Sequence, residues 1–284
     1  MILLFTTTDM MGPRQDQLQR LLDSLAVCPD LPIRHYLLLQ NCTENMLAEF
    51  RRTAPKCCRV SRSPKQVSIS LARNLLLDKA LADGFADDCI AGFPDDDCWF
   101  PARFLHRLHA AFQNETGLDL LVCGVSLTPR SVPFEANEFW AIQVRELVRQ
   151  SSSNNIFLRG WLIRELGPFD LDLGLGAPAG GGEDTDYAIR AFLRAEDSRI
   201  IKQPLVGHKE PDLQSAAKYF NSSLLVLARY AGKNRELRAE FFRKIFVGVY
   251  FIGKRRLSLA TYSKAMLQAF RQHSTPRPAA RWGQ

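Results

Sequence analysis

The chain has 284 residues, of which 46% are hydrophobic and 24% charged, a composition typical of a globular protein with a buried core. Its seven cysteines are scattered and include no CxxC pair, which favours reduced thiols in a cytoplasmic protein over a disulfide framework or a zinc site. The opening run MILLFTTTDMM is too short for a membrane span and lacks the basic leader of a signal peptide, so it predicts a buried first strand.

The formal charge of +7 is concentrated towards the end of the chain. Residues 229–281 contain thirteen Lys or Arg and two Glu, a charge of +11, which leaves −4 for the rest. A basic tail can contact nucleic acid or an anionic membrane, but the slightly acidic remainder argues against a nucleic-acid enzyme. Because no recognisable nucleic-acid-binding module is present, we expect no nucleic-acid partner.

Apolar runs of strand length alternate with helical patterns through the first half of the chain. The predicted strands are residues 2–6 (ILLFT), 35–40 (HYLLLQ) and 89–93 (CIAGF), and the predicted helices are residues 17–25, 44–52 and 70–84. This alternation predicts parallel strand pairing and a doubly wound α/β sheet.

The second half is less regular. Residues 119–129 and 154–159 are predicted strands, and residues 199–211 form a strand leading to His208. The segment from Gly174 to Gly182 is too rich in Gly, Ala and Pro for regular structure, so it predicts a mobile loop before the next helix.

Three consecutive aspartates, Asp95 to Asp97, follow the third predicted strand. Residues 80–98 contain six Asp and no Lys or Arg, so nothing nearby in sequence neutralises the repulsion between these carboxylates. Open α/β sheets bind ligands at the carboxyl ends of their strands, and the apolar Trp99 and Phe100 anchor the loop. A solvated turn is the alternative, but this pattern favours a cation site.

Two other segments carry candidate site residues. Glu183 and Asp184 open a predicted helix, where acidic residues either cap the helix dipole or act as a general base on a closing loop. His208 is either structural or directed towards the same sheet edge as the aspartates. The residue pattern leaves both alternatives open.

Four ordered stretches, TTTD, SLARN, FPDDDCWFP and GGEDTDYAIR, followed by a late His, resemble the inverting glycosyltransferases of family 2. The resemblance covers roughly residues 1–210. It implies the GT-A fold, the Rossmann-like, mostly parallel sheet flanked by helices of the nucleotide-diphospho-sugar transferases. Residues 211–274 would then be a helical, basic C-terminal extension, and residues 275–284 a disordered tail.

The resemblance also implies roles for individual residues. Asp95 to Asp97 match a DxD metal element, Asp184 matches the base that deprotonates the acceptor, and the acceptor would also be bound by Glu183 and Asp170. The implied ligands of Mn²⁺ or Mg²⁺ are Asp97, Asp95 and His208. The implied donor-nucleotide residues are Thr6, Thr8, Gln40, Arg73, Asn74, Asp95 and Asp96.

One departure from the family concerns the nucleotide base. After the second strand, where family members often carry an acidic stretch that binds uracil, this chain has Gln40 and Asn41. A UDP-sugar remains the favoured donor, with GDP- and dTDP-sugars as alternatives.

The activity implied is a metal-dependent transfer of a sugar from a nucleotide-diphosphate donor to a hydroxyl of a glycan or lipid-linked glycan, in bacterial polysaccharide biosynthesis. A catalytically inactive, membrane-peripheral scaffold is the alternative, and the retained Asp97 and Asp184 argue against it. A sugar-phosphate nucleotidyltransferase is disfavoured, because TTTDMMGPRQD contains no GxGxR-type phosphate loop.

The tail is amphipathic as well as basic. Its aromatic-rich run 245–253 (IFVGVYFIG) is flanked by Lys and Arg and is far shorter than the roughly 20 residues that cross a bilayer. It fits a helix lying in an anionic membrane interface, or a helix packed on the catalytic domain with a solvated basic face. We therefore expect a cytoplasmic protein, either free or attached to the inner face of the plasma membrane through residues 229–271.

Overall fold

The computed structural model describes residues 1–130, 138–208 and 217–274. The predicted disordered tail, residues 275–284, lies outside these ranges. The strands are β1 (Ile2–Asp9), β2 (Ile33–Gln40), β3 (Cys58–Arg62), β4 (Ile90–Gly92), β5 (Leu118–Ser126), β6 (Trp140–Ala141), β7 (Ile156–Arg159) and β8 (Asp197–Gly207). The helices are α1 (Gln15–Ala26), α2 (Glu44–Thr53), α3 (Ile69–Asp83), α4 (Phe104–Asn114), α5 (Val144–Gln150), α6 (Gly160–Leu166), α7 (Glu183–Phe192), α8 (Phe220–Tyr230), α9 (Arg235–Gly253) and α10 (Leu259–Ser274).

The strands form one eight-stranded sheet in the order β3-β2-β1-β4-β7-β5-β8-β6. The pairs β1–β2, β1–β4, β2–β3 and β5–β8 are parallel. Strand β7 is antiparallel to both β4 and β5, and β6 is antiparallel to β8. The prediction of a mostly parallel α/β sheet flanked by helices is confirmed.

Strand β1 shows why the central strands read as continuous apolar runs. Its first four residues are at most 1% exposed, because helices cover both faces of the sheet. Leu3 and Phe5 pack into one hydrophobic cluster, whereas Ile2 and Leu4 pack into another on the opposite face. The alternation of side chains along a strand therefore fills two cores at once.

A backbone bridge joins the loop after β4 to the end of β8. The Trp99 N–H donates to Gly207 O at 3.0 Å, and the Gly207 N–H donates to Trp99 O at 2.8 Å. A Cβ on Gly207 would lie 2.1 Å from the Trp99 ring, so this close approach requires glycine. The bridge holds the next residue, His208, close to Asp95 and Asp97.

The C-terminal extension contributes to the main core. Phe220, Leu224 and Leu227 of α8 are at most 1% exposed and belong to the same hydrophobic cluster as Leu3 of β1. The division of the chain at residue 210 remains a prediction. Among the described residues, no helix is both long enough and apolar enough to span a bilayer.

Candidate active site

The loop that carries the three aspartates is fixed from both sides. The Thr6 hydroxyl donates to Pro94 O at 2.8 Å. The Asp95 N–H donates to Asn154 Oδ1 at 2.6 Å, and Asn154 Nδ2 donates to Asp95 Oδ2 at 2.9 Å. The loop is therefore held at the carboxyl end of β4, as the sequence predicts, and its carboxylates are positioned before any ligand arrives.

Distant arginines neutralise part of the acidic cluster, although no basic residue is close in sequence. Arg14 Nη1 lies 3.0 Å from Asp96 Oδ1 and 3.4 Å from Asp97 Oδ2. Arg73 Nη2 donates to Asp95 Oδ1 at 3.2 Å. The Thr8 hydroxyl completes the surroundings of Asp96 with a hydrogen bond of 2.8 Å.

This edge of the sheet also carries a group of side chains that could hold a metal ion. One ligand atom from each of Asp95, Asp97 and His208 lies within 4.8 Å of the others. Asp97 Oδ1 is buried and accepts no hydrogen bond from any described residue, although His208 Nε2 lies 3.2 Å away. A buried carboxylate charge is costly unless it is paired, and a cation at this position would add to the pairing that His208 provides. Two carboxylates and an imidazole suit Mn²⁺ well.

The ionisation of Asp97 agrees with this arrangement. Burial acts to raise the pKa of Asp97, but the His208 imidazole and the Arg14 guanidinium outweigh burial and leave the pKa below its usual value. The carboxylate is therefore charged at neutral pH, which a hard divalent cation requires.

The second half of the site is the first turn of α7. Gly182, at φ 89°, is the N-cap, and α7 begins at Glu183 as predicted. Arg73 Nη1 donates to Asp184 Oδ1 at 2.6 Å and lies 3.7 Å from Glu183 Oε1. Because the same guanidinium also binds Asp95, Arg73 connects the acidic loop after β4 to the start of α7.

Glu183 and Asp184 differ in their surroundings. The Glu183 side chain is 11% exposed and that of Asp184 24%. Burial, and secondarily the charge of Asp184, raise the pKa of Glu183 to about 8, with Arg73 acting in the opposite direction. Glu183 thus keeps its proton at neutral pH.

The SLARN segment of α3 holds the glycine-rich loop. The Ser70 hydroxyl donates to Leu173 O at 2.6 Å. Asn74 clamps Phe169, since its Nδ2 donates to Phe169 O at 2.9 Å and its Oδ1 accepts from the Phe169 N–H at 2.7 Å. A Cβ on Gly174, which has φ 100°, would lie 2.5 Å from Ile69. The loop lacks regular structure, as predicted, and its mobility remains a prediction.

Several residues predicted to bind the nucleotide make supporting contacts in this structure. Thr6 is 1% exposed and sits within β1, where its hydroxyl also lies 2.9 Å from His35 Nε2. Both amide atoms of Gln40 are engaged, Nε2 with the Thr7 hydroxyl at 2.7 Å and Oε1 with the Val67 N–H at 2.7 Å. Thr6, Gln40 and Asn74 thus position backbone around the site, and their contact with a nucleotide remains a prediction.

Asp170, predicted on the acceptor side, is bound to the C-terminal extension. Arg229 Nη1 of α8 donates to Asp170 Oδ2 at 2.6 Å and lies 3.5 Å from Asp186 Oδ1. Tyr230, the next residue, donates its hydroxyl to Asp186 Oδ1 at 2.8 Å. Helix α8 therefore supports the chain on both sides of the Glu183–Asp184 pair.

Three contributors to the site are not predicted from the sequence: Arg14, Asn154 and Arg229. Arg14 follows the TTTD stretch at the carboxyl end of β1, so its place at the same sheet edge as the aspartates is the signal that could have identified it. Asn154 lies within the polar run SSSNN, residues 151–155. Arg229 carries no local signal, because it reaches its carboxylate partners only through the packing of α8.

No protein-family model and no curated protein matches the chain. Several solved structures do match the chain. TarS 1–349 of S. aureus aligns with a TM-score of 0.66 and 17% identity, over 96% of this chain and 80% of that one. The same fragment in complex with UDP-GlcNAc aligns with a TM-score of 0.66 and 15% identity, over 96% of this chain and 81% of that one. A third structure is the mannosyltransferase PcManGT from Pyrobaculum calidifontis in complex with GDP-Man and Mn²⁺. It aligns with a TM-score of 0.56 and 15% identity, over 97% of this chain and 76% of that one. The chain therefore has the GT-A fold of the glycosyltransferases.

Proposed function

We propose that this protein is an inverting, metal-dependent glycosyltransferase of family 2, which moves a sugar from a nucleotide-diphosphate donor to an acceptor hydroxyl. One observation carries the proposal. The Asp95–Asp97–His208 set and the Glu183–Asp184 pair, far apart in sequence, are joined by the buried guanidinium of Arg73. The complexes of the structural neighbours with UDP-GlcNAc, or with GDP-Man and Mn²⁺, support it.

Asp97, Asp95 and His208 would hold Mn²⁺ or Mg²⁺. When bound, such an ion neutralises negative charge on the diphosphate leaving group. Arg14 is half-exposed beside Asp96 and Asp97, so the side of its guanidinium that faces solvent would be available to the diphosphate. The remaining carboxylate, Asp96, fixes Arg14 and the Thr8 hydroxyl from the protein side.

On the acceptor side, Asp184 would take the proton from the attacking hydroxyl. Its carboxylate is partly accessible, and the bond from Arg73 fixes its orientation. Protonated Glu183 can donate a hydrogen bond that orients the acceptor. Attack on the anomeric carbon from the side opposite the diphosphate gives inversion in a single displacement. Asp170 would border this region, with its carboxylate held by Arg229.

The donor class in this proposal is a UDP-sugar, and the acceptor is a glycan or lipid-linked glycan of bacterial polysaccharide biosynthesis. The reaction would take place in the cytoplasm or at the inner face of the plasma membrane. Thr6, Thr8, Gln40, Arg73 and Asn74 would define the nucleotide side, largely through the backbone that they position.

Turnover tests the proposal directly. The protein is incubated with Mn²⁺, a panel of UDP-, GDP- and dTDP-sugars and a panel of glycan and lipid-linked glycan acceptors, and nucleotide release and the anomeric configuration of the glycosidic bond formed are measured. Asp184→Asn should lower transfer by roughly 10²–10⁴-fold, the usual contribution of a general base, while donor binding persists. Asp23→Asn, an exposed acidic position on α1, is the matched control and should retain activity. Retention of anomeric configuration, or full activity of Asp184→Asn, would contradict the proposal.

A further inference from the structure

The last two helices, α9 and α10, carry a concentration of exposed large apolar side chains. Of sixteen such side chains among the described residues, seven belong to α9 and α10. They are Phe242, Phe246, Val249, Tyr250, Leu259, Leu267 and Phe270, with exposures from 51% to 71%. Single exposed apolar residues are ordinary, but a concentration in one helical hairpin is not.

These side chains form one surface, which we call the α9–α10 face. On α9, residues 242, 246, 249 and 250 follow helical spacing and therefore share one side of the helix. On α10, residues 259, 267 and 270 do the same. The two stripes meet at Phe241, whose ring lies 5.6 Å from Phe242 and 6.3 Å from Phe270, measured between ring centroids.

Cations border this face, and acidic groups are nearly absent from it. Exposed basic residues lie at both ends of α9 and along α10: Arg235, Arg238, Lys254, Arg255, Arg256, Lys264 and Arg271. Residues 235–271 contain two acidic residues, Glu236 and Glu240. Glu240 is buried and bound by Arg149 and Arg243, so it does not offset the exposed positive charge.

We infer that the α9–α10 face docks on the surface of an anionic lipid bilayer, with Phe242, Phe246 and Tyr250 inserted at the headgroup level. An aromatic stripe with Lys and Arg at its ends matches a helix lying in the interface plane, and the basic border is complementary to anionic headgroups. A second copy of the chain fits less well, because a twofold contact through this face would bring its basic borders together. The inference goes beyond sugar transfer and does not depend on it.

Flotation of the full-length protein with vesicles tests the inference. Phosphatidylcholine vesicles containing phosphatidylglycerol should carry the protein, pure phosphatidylcholine vesicles should carry much less, and added salt should weaken binding. Phe246→Ser removes a ring that is 71% exposed and should lower the partition coefficient roughly tenfold or more without changing the melting temperature. The matched control is Val27→Ser, which removes a side chain that is 62% exposed at the end of α1 and should bind as the wild type does.

A charge variant separates the electrostatic contribution of the basic residues from the apolar contribution of the aromatic stripe. Replacing Lys254, Arg255 and Arg256 with Gln should remove most of the preference for anionic vesicles while the aromatic stripe stays intact. Absence of flotation with anionic vesicles, or equal binding by wild type and Phe246→Ser, would overturn the inference. A dimer seen by light scattering that Phe246→Ser converts to a monomer would also overturn it, since a second copy would then cover the face.

Discussion

Arg73 donates a hydrogen bond of 2.6 Å to Asp184, a residue 111 positions further along the chain. The Arg73 side chain is only 4% exposed, so this charge is buried among the carboxylates that it binds. Burial acts to lower the pKa of Arg73, but Asp184 and Asp95 outweigh it and raise the pKa. The loop after β4 and the start of α7 are thus held together by one permanently charged group.

Loss of Arg73 should therefore destabilise the folded protein. Arg73→Met leaves Asp95 and Asp184 without their buried partner and should lower the free energy of unfolding by about 3–5 kcal/mol. Urea denaturation measures this change. Arg62→Met removes an ion pair with Glu44, whose side chain is 72% exposed, and should cost at most about 1 kcal/mol. Equal losses in the two variants would contradict the structural role of Arg73.

Gly207 should be required to position His208 beside Asp97 in the candidate metal site. A Cβ at this position would lie 2.1 Å from the Trp99 ring, so Gly207→Ala should break the Trp99–Gly207 bridge and move His208 away from Asp97. We expect weaker Mn²⁺-dependent nucleotide binding, measured by calorimetry. Gly117→Ala is the control, because a Cβ there meets no atom within 4 Å. Unchanged binding by Gly207→Ala would show that the bridge does not position the histidine.

Glu183 should make stability depend on pH. Burial, and then the charge of Asp184, raise its pKa from 4.5 to about 8, against the opposing effect of Arg73. The folded protein keeps this proton at pH values where the unfolded chain has lost it. The stabilisation from Glu183 is therefore complete below pH 4.5 and is lost as pH rises through about 8.

The free energy of unfolding should accordingly fall more steeply from about pH 5 to pH 8 in the wild type than in Glu183→Gln. Urea denaturation at steps of pH, with Glu49→Gln on the exposed side of α2 as control, measures the difference. Parallel curves for wild type and Glu183→Gln would show that the carboxyl group titrates normally.

The C-terminal extension should unfold together with the sheet. Leu224 of α8 is fully buried in the cluster that includes Leu3 and Phe5 of β1. Leu224→Ala should cost about 2–5 kcal/mol and shift the whole transition, followed by far-UV circular dichroism and tryptophan fluorescence. Two separate transitions, of which only one moves, would instead mean that the extension folds on its own.

Local patterns predict much of this fold. ILLFT and HYLLLQ are continuous apolar runs and become β1 and β2, because both faces of a parallel sheet are covered. Strand β3 (CRVSR) is not predicted, since it lies at the sheet edge and carries two arginines. The antiparallel insertion of β7 between β4 and β5 is also missed, because strand order depends on long-range packing.

The candidate site likewise has a part that the sequence predicts and a part that depends on long-range packing. The position of Asp95 to Asp97 follows from where their strand ends, which the sequence shows. The partners of these aspartates cannot be predicted in this way, because Arg14 lies 82 residues away from Asp96 and no local pattern links the two residues. Arg73 and Asn74 are singled out by SLARN, but only the packing of α3 shows that they hold Asp184 and Phe169.

In the proposed mechanism, Asp97 helps to hold a divalent cation against a nucleotide diphosphate. Calorimetric titration of the protein with UDP, GDP and dTDP, each with and without Mn²⁺, tests it most directly when repeated on Asp97→Ala. We expect Mn²⁺-dependent binding of one nucleotide, UDP first, and loss of that binding in Asp97→Ala. Binding that ignores Mn²⁺, or that persists in Asp97→Ala, would contradict it.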